Sequence, residues 1–175
     1  MKLKLTKFKD LFVIEHDVYR DERGYFLETY SKQFINKEFV QDNVSFSKQG
    51  TLRGLHFQKT PFQQGKLVRV LKGKVYDVAV DLRRDSKTYK QWYFEILSDE
   101  NNLSMYIPEG FAHGFQVLSK DAIFQYKCTN FFKPEYGQGI KWDDKTLNIE
   151  WPMTPTFISE KDKNSPTFDY VEELI

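Results

Sequence analysis

A second cysteine is missing from this chain of 175 residues. Cys128 alone can form neither an internal disulfide nor a cysteine metal cluster, a usage that fits a reducing compartment. Charge imbalance is missing as well. The 26 Lys+Arg stand against 25 Asp+Glu, so bulk electrostatics recruit neither nucleic acid nor a membrane surface. No apolar run has the length of a signal peptide or a membrane span, and the opening Met-Lys-Leu-Lys-Leu-Thr-Lys alternates charge with leucine. Internal repeats and low-complexity stretches are absent. So is any alternation of strand and helix signatures, which weighs against a doubly wound parallel sheet. Histidine is scarce, with only His16, His56 and His113. A single soluble domain over residues 1–175, located in the cytoplasm, is the expectation.

What the chain does have is aromatic bulk. Aromatics are 17% of residues and sixteen of them are Phe, which favours strands and a large-residue core. Short strands are expected over Leu3–Leu5, Leu11–Ile14 and Tyr25–Tyr30, with a charged turn at Arg20–Gly24 between the last two. Residues 31–39 are the best early helix, and 40–49 a loop or edge strand. Lys66–Leu71, a Lys-Gly-Lys turn and Val75–Leu82 read as a hairpin. In its second arm Tyr76, Val78, Val80 and Leu82 share one face, and Val75, Asp77, Ala79 and Asp81 the other. Further strands follow at 89–97, 104–107, 114–118 and 122–128. Turn signals recur roughly every 8–12 residues, the spacing of an all-β sandwich or barrel. After Cys128 the chain turns irregular, with a helix start at Ser159–Asp162 and a short final helix at Tyr170–Ile175. This tail is read as a flap over the barrel.

Chemistry concentrates in Thr51-Leu-Arg-Gly-Leu-His-Phe-Gln58. A strand this apolar loses stability by carrying Arg53, His56 and Gln58 inward unless those groups are paired or used. A strand histidine by itself is more often structural than catalytic. His113, in Ile107-Pro-Glu-Gly-Phe-Ala-His-Gly114, Lys66 and Asp77 add to it, and together they describe a wet pocket for an anionic, oxygen-rich ligand. A solvated face with ion pairs is the plainer explanation of the same residues. Strict alternation sets Arg53 and His56 on opposite faces, so Gly54 either hosts a bulge that brings both round or marks a crowded spot. Two histidines and a carboxylate can hold a divalent metal. Barrel metal sites usually offer His-x-His, however, and here Gly54 and Gln58 occupy the flanking positions.

Taken together, several motifs resemble the dTDP-4-dehydrorhamnose 3,5-epimerase family. They are Arg23-Gly, Leu52-Arg-Gly-Leu-His-Phe-Gln58, Gln64-Gly-Lys-Leu-Val-Arg69, Asp77-Val-Ala-Val-Asp-Leu-Arg83, the 107–114 segment, Tyr126-Lys127 and Trp142-Asp-Asp144. They are collinear over about residues 8 to 165. The resemblance implies a cupin-type jelly roll with a few short helices near the C-terminus, a homodimer, and no metal or organic cofactor. It implies epimerisation at C3 and C5 of a dTDP-linked 4-keto-6-deoxyhexose, with dTDP-4-dehydro-L-rhamnose as product. By the same resemblance His56 is the general base, Asp162 its carboxylate partner, Tyr126 the general acid and Lys66 the enolate-stabilising cation. Arg53 and His113 line the sugar and phosphate site. Arg23, Glu28, Gln41, Asp42, Asn43, Gln58, Phe132 and Lys161 contact substrate, the first of these coming from the dimer partner. The chain departs from the family at Phe131-Phe132, where relatives often have tyrosines, and around Gly137, where they tend to have an acid. The missing hydroxyl keeps a mono-epimerase in view. A non-catalytic sugar-nucleotide-binding cupin and a metal-dependent cupin enzyme would each suit the same fold.

Overall fold

The computed structural model describes residues 1–173. Its strands are β1 (Lys2–Leu5), β2 (Phe12–Glu15), β3 (Tyr19–Asp21), β4 (Gly24–Phe26), β5 (Gln41–Lys48), β6 (Leu52–Gln58) and β7 (Lys66–Lys72). Then come β8 (Lys74–Asp81), β9 (Trp92–Ser98), β10 (Leu103–Ile107), β11 (Phe111–Val117), β12 (Asp121–Cys128) and β13 (Gly137–Gly139). Two short helices follow, α1 (Glu160–Lys163) and α2 (Phe168–Glu172). A six-stranded sheet runs β1-β2-β10-β7-β12-β5 and faces a five-stranded sheet, β13-β6-β11-β8-β9, while β3 and β4 form a separate ribbon. All ladders are antiparallel and neither large sheet closes on itself. The fold is an all-β, cupin-like jelly-roll sandwich. None of the described helices is long and apolar enough to cross a membrane.

The hydrophobic pattern sets the layers. Val68, Val70, Val75, Ala79, Leu97, Met105, Ile107, Phe115, Val117 and Phe124 point into the gap between the sheets and form its dry end. The opposite face of β8 (Tyr76, Val78, Val80, Leu82) is buried too, under Ile140, Leu147, Phe168 and Val171 of the tail. Asp144 anchors that cover: its carboxylate accepts backbone N–H bonds from Thr146, Leu147 and Phe168, all within 3.0 Å. Most of the tail therefore lies on the outer face of the five-stranded sheet, while Phe132, Gly137, Gln138 and residues from 156 to 163 reach the cavity.

Four sequence expectations are corrected. The strands around Lys72-Gly-Lys74 do not form a hairpin, because β7 belongs to one sheet and β8 to the other. Gly73, at φ +85°, turns a corner so tight that a Cβ there would lie 2.2 Å from the Asp121 carbonyl oxygen. Both arms are buried on two faces over most of their length, and each pairs with other strands: β10 and β12 for β7, β9 and β11 for β8. Residues 31–39 form no helix but a single turn closed by Ile35 N–H on Ser31 O. Burial of Ile35, with Phe39 packed on Tyr106, fixes their path across the six-stranded sheet instead. The last helix starts at Phe168, not Tyr170, and residues 174–175 of the expected helix lie outside the described residues. Of the strand expected at Tyr25–Tyr30, only Tyr25 and Phe26 are in β4.

Candidate active site

At the other end of the sandwich the inward rows change character. Across β7, β12 and β5 the register sets Lys66, Cys128 and Gln41 in one row, Val68, Tyr126 and Asn43 in the next, then Val70, Phe124 and Ser45. Polar groups thus replace apolar ones as the sheets approach their open end. The result is a cavity of about 880 Å³. His56, Arg53, His113 and Phe115 close it from the facing sheet, and Phe132 with residues 156–163 forms its rim.

Gly54 decides how β6 meets this cavity. His56 pairs with His113 across β11 while Arg53 pairs with Phe115, so β6 holds one residue more than its partner over this stretch. The bulge sits at Gly54, whose φ is +130° and whose Cβ would stand 2.5 Å from Gly114 Cα. Both readings of this glycine hold: it is a bulge and a place too crowded for a side chain. Arg53 and His56 now line one cavity. The Gly54 N–H, freed from the ladder, donates to Asp162 Oδ2 at 3.3 Å.

Asp162 is the third residue of α1. Ser159 caps that helix, its Oγ accepting from Asp162 N at 3.1 Å. In a full capping box the acidic side chain would reach back to the cap. Here it turns away and Oδ1 accepts from His56 Nε2 at 2.7 Å. Burial pushes the Asp162 carboxyl up, but the hydrogen bond and charge of His56, with the N–H of Gly54, outweigh it and hold the group below the usual carboxylate range. The pair is asymmetric: 5% of the Asp162 side chain is exposed against 41% for His56. With Nε2 engaged, Nδ1 of His56 is left as the proton-accepting nitrogen.

The remaining charges are packed more deeply. His113 Nε2 reaches both oxygens of Asp77, at 2.9 and 3.0 Å, with its ring stacked against Phe124. Burial raises the Asp77 carboxyl, opposed by His113 and Lys66, and burial lowers His113, opposed by Asp77. Lys66, also lowered by burial, brings Nζ to 3.5 Å from the His56 carbonyl oxygen. Tyr126 is raised, first by burial and then by Cys128. Its phenol therefore keeps its proton across the neutral range. Lys66 and Asp77 make no direct contact, and their charges act on each other across the two sheets rather than across a hairpin.

The other expected residues divide sharply. Gln41 and Asn43 line the cavity, and Gln41 also accepts the Phe132 N–H at 2.9 Å. Asp42 does not line this cavity: the pleat of β5 turns it outward, where it pairs with Lys127 at 2.7 Å. Gln58 lines the wall, but its amide is spent on backbone, donating to Phe62 O and Phe131 O and accepting from Lys133 N. Phe132 and Lys161 sit at the rim. Arg23 and Glu28 are not at this cavity. Arg23 lies at the tip of the β3–β4 ribbon, 85% exposed and paired with Asp21, and Glu28 O meets His16 Nδ1. Unforeseen lining residues are Ser45, Phe115, Cys128 and Thr156–Ser159. Ser45 is readable from the alternation that starts at Gln41 and Asn43, whereas the tail residues carry no such signal.

Comparison with known proteins gives a consistent result. The sequence model of the dTDP-4-dehydrorhamnose 3,5-epimerase family matches residues 5–170. A relative of that description from Methanothermobacter thermautotrophicus is 51% identical over 167 residues, covering 91% of this chain and 90% of its own. Another, from Shigella flexneri, is 47% identical and covers 96% of each chain. A crystal structure of dTDP-6-deoxy-D-glucose-3,5-epimerase from Legionella pneumophila, in complex with dTDP-4-keto-L-rhamnose, superposes with a TM-score of 0.93. It is 43% identical, covering 99% of this chain and 95% of that one.

Proposed function

This chain belongs to the dTDP-4-dehydrorhamnose 3,5-epimerase family, and from that membership we propose which of its side chains move the protons. The enzyme is an isomerase. It converts dTDP-4-dehydro-6-deoxy-D-glucose to dTDP-4-dehydro-L-rhamnose by inverting C3 and C5, a step of dTDP-rhamnose biosynthesis. A C–H beside a ketone becomes acidic when the enolate oxygen is stabilised. His56 Nδ1 takes the proton, and Asp162 holds the ring and stabilises the imidazolium. Lys66, with the His113–Asp77 pair beside it, offers positive charge and hydrogen bonds to the developing oxyanion at C4. Tyr126 returns a proton to the other face of the carbon, and the water of the open cavity resets both groups. Positioned acid–base groups of this kind contribute roughly 10²–10⁴-fold each.

One observation carries this reading. His56 projects from β6 of the five-stranded sheet and Tyr126 from β12 of the six-stranded sheet, into the same cavity. A sugar between them meets base and acid from opposite sides, which is what inversion needs. Arg53, Gln41, Asn43 and Phe132 are proposed to hold the diphosphate and the nucleoside. Phe132 keeps the stacking surface of an aromatic without the hydroxyl. Arg23 and Glu28 are proposed to serve the cavity of a second copy in a homodimer, which their distance from their own cavity supports. The unpaired, buried Cys128 supports a cytoplasmic location.

The reaction is tested by running it on dTDP-4-keto-6-deoxyglucose in D₂O. Deuterium is expected at both C3 and C5, and His56→Ala is expected to lower exchange by two or more orders of magnitude. Label at a single carbon would make the enzyme a mono-epimerase, the outcome that the missing hydroxyl at Phe132 would explain. Exchange unaffected by His56→Ala would remove His56 as the base.

A further inference from the structure

Arg53 and Ser47 belong to different sheets. β5, which carries Ser47, is the free edge of the six-stranded sheet, and β6, which carries Arg53, lies in the five-stranded one. No ladder joins these strands. Beyond the 49–51 turn that connects them, a side chain bridges the two strands: Arg53 Nε donates to Ser47 Oγ at 3.0 Å and its Nη2 reaches the Phe46 carbonyl oxygen at 3.4 Å. Ser47 is itself buried, on the inward face that also carries Gln41, Asn43 and Ser45. Ser47 is no part of the cavity lining, while Arg53 is.

The shape of the guanidinium gives this contact its meaning. Its five N–H groups form a fixed planar fork. The side edge, Nε with Nη2, is laid along β5. The end edge, formed by Nη1 and Nη2, stays free for a bidentate contact with an anion. Arg53 is otherwise exposed and would have several rotamers to lose on binding. A tether at Nε removes most of that freedom before the ligand arrives. It also requires the bulge: without Gly54, Arg53 would leave β6 on the face away from β5.

We infer that Ser47 is a positioning residue, which aims Arg53 at the diphosphate of the substrate from the opposite sheet. The inference rests on the reading of Arg53 as a phosphate ligand. Ser47 touches no substrate in this arrangement, so its removal weakens binding of the diphosphate and spares the proton transfers at His56 and Tyr126. Its effect exists only while Arg53 is present.

The test is calorimetric titration of the intact protein with dTDP, alongside steady-state kinetics, for Ser47→Ala, Ser47→Thr, Arg53→Ala and the Ser47→Ala/Arg53→Ala double variant. Ser47→Ala is expected to weaken dTDP binding and raise KM by roughly fivefold to twentyfold, with kcat within about twofold of wild type. Ser47→Thr, which keeps the oxygen, is expected to recover most of the affinity. In the Arg53→Ala background, Ser47→Ala is expected to cost nothing further, a coupling that a merely structural serine would not produce. Unchanged dTDP affinity in Ser47→Ala, or a loss that persists undiminished without Arg53, overturns the inference. Unchanged affinity in Arg53→Ala leaves Ser47 nothing to aim and overturns it too. Wild-type protein that does not bind dTDP at all would instead fail the reading of the cavity.

Discussion

Asp162 does three things at once, and each follows from its position in the first turn of a short helix. Its backbone N–H satisfies the Ser159 cap, and its two carboxylate oxygens hold the Gly54 N–H and the His56 ring. Asp162→Asn preserves the shape and removes the charge. The expected result is a fall in kcat of about 10²-fold or more, with KM little changed, measured at neutral pH. The folded-state pKa of Asp162 is depressed below the ordinary value near about 4. Its carboxylate therefore stabilises the fold above that value, and the contribution is lost as pH falls through the depressed one. Thermal midpoints of wild type and Asp162→Asn, taken from pH 7 to pH 2, should converge at the acid end. Parallel curves throughout would mean that the charge is not used in folding. From the sequence alone Ser159-x-x-Asp162 reads only as a weak cap. The partnership with His56 is legible only through family resemblance, because no local pattern announces a contact spanning 106 residues. The outward place of Asp42 is a case of the opposite kind. The resemblance takes 41–43 as one block, while the period-two alternation of β5, which turns Asp42 outward, is plain in the sequence.

Elements are legible where their partners do not matter. Every strand expected from 66 to 128 is present, since alternation and β-branched composition mark a strand whichever neighbour it takes. Pairing is not legible. A glycine between two apolar arms signals a reversal, and Gly73 provides one, but whether the chain returns to the same sheet depends on which neighbours bury the second face. The signal lies in Val75–Leu82, where one alternating face is wholly apolar and the other mixes Val75 and Ala79 with two carboxylates that end up buried. A strand buried on both sides has a layer above it and a layer below, which a two-stranded ribbon lacks. Helix α1 shows a different coupling, between local stability and chemistry. With only four residues it depends on its cap. Ser159→Ala is expected to cost about 1 kcal/mol of stability in chemical denaturation, the usual value of a cap. It should also lower kcat severalfold, because Asp162 loses its fixed approach to His56. A stability loss with kcat unchanged would show that tail packing alone seats the carboxylate.

At the scale of the whole molecule, one chain looks incomplete. The cavity is open at the end of the sandwich, and two residues that the family resemblance assigns to substrate, Arg23 and Glu28, are elsewhere. Arg23 rides on the β3–β4 ribbon, whose Tyr19, Tyr25 and Phe26 are all exposed. Val44, Phe46 and Leu71, on the outward face of the six-stranded sheet, are exposed as well. Exposed aromatics on a separate two-stranded ribbon, together with exposed apolar residues on an outer sheet face, suit an interface with a second copy. In the proposed two-fold dimer each ribbon would serve the cavity of the other chain, so each active site would be built from both. That arrangement makes a distinctive prediction. His56→Ala and Arg23→Ala are each expected to be strongly impaired as pure homodimers. When the two are unfolded together and refolded at equal amounts, half of the dimers are mixed. Each mixed dimer then holds one cavity lacking both groups and one cavity with His56 from one chain and Arg23 from the other, intact. Activity should return to about a quarter of wild type, since half of the dimers carry one working site of two. If His56 and Arg23 instead served the same chain's cavity, each mixed dimer would still have two damaged sites. Refolding would then restore nothing above the mean of the two variants. A quarter of wild-type activity, against that mean, decides between a shared and a self-contained site without any structure of the dimer.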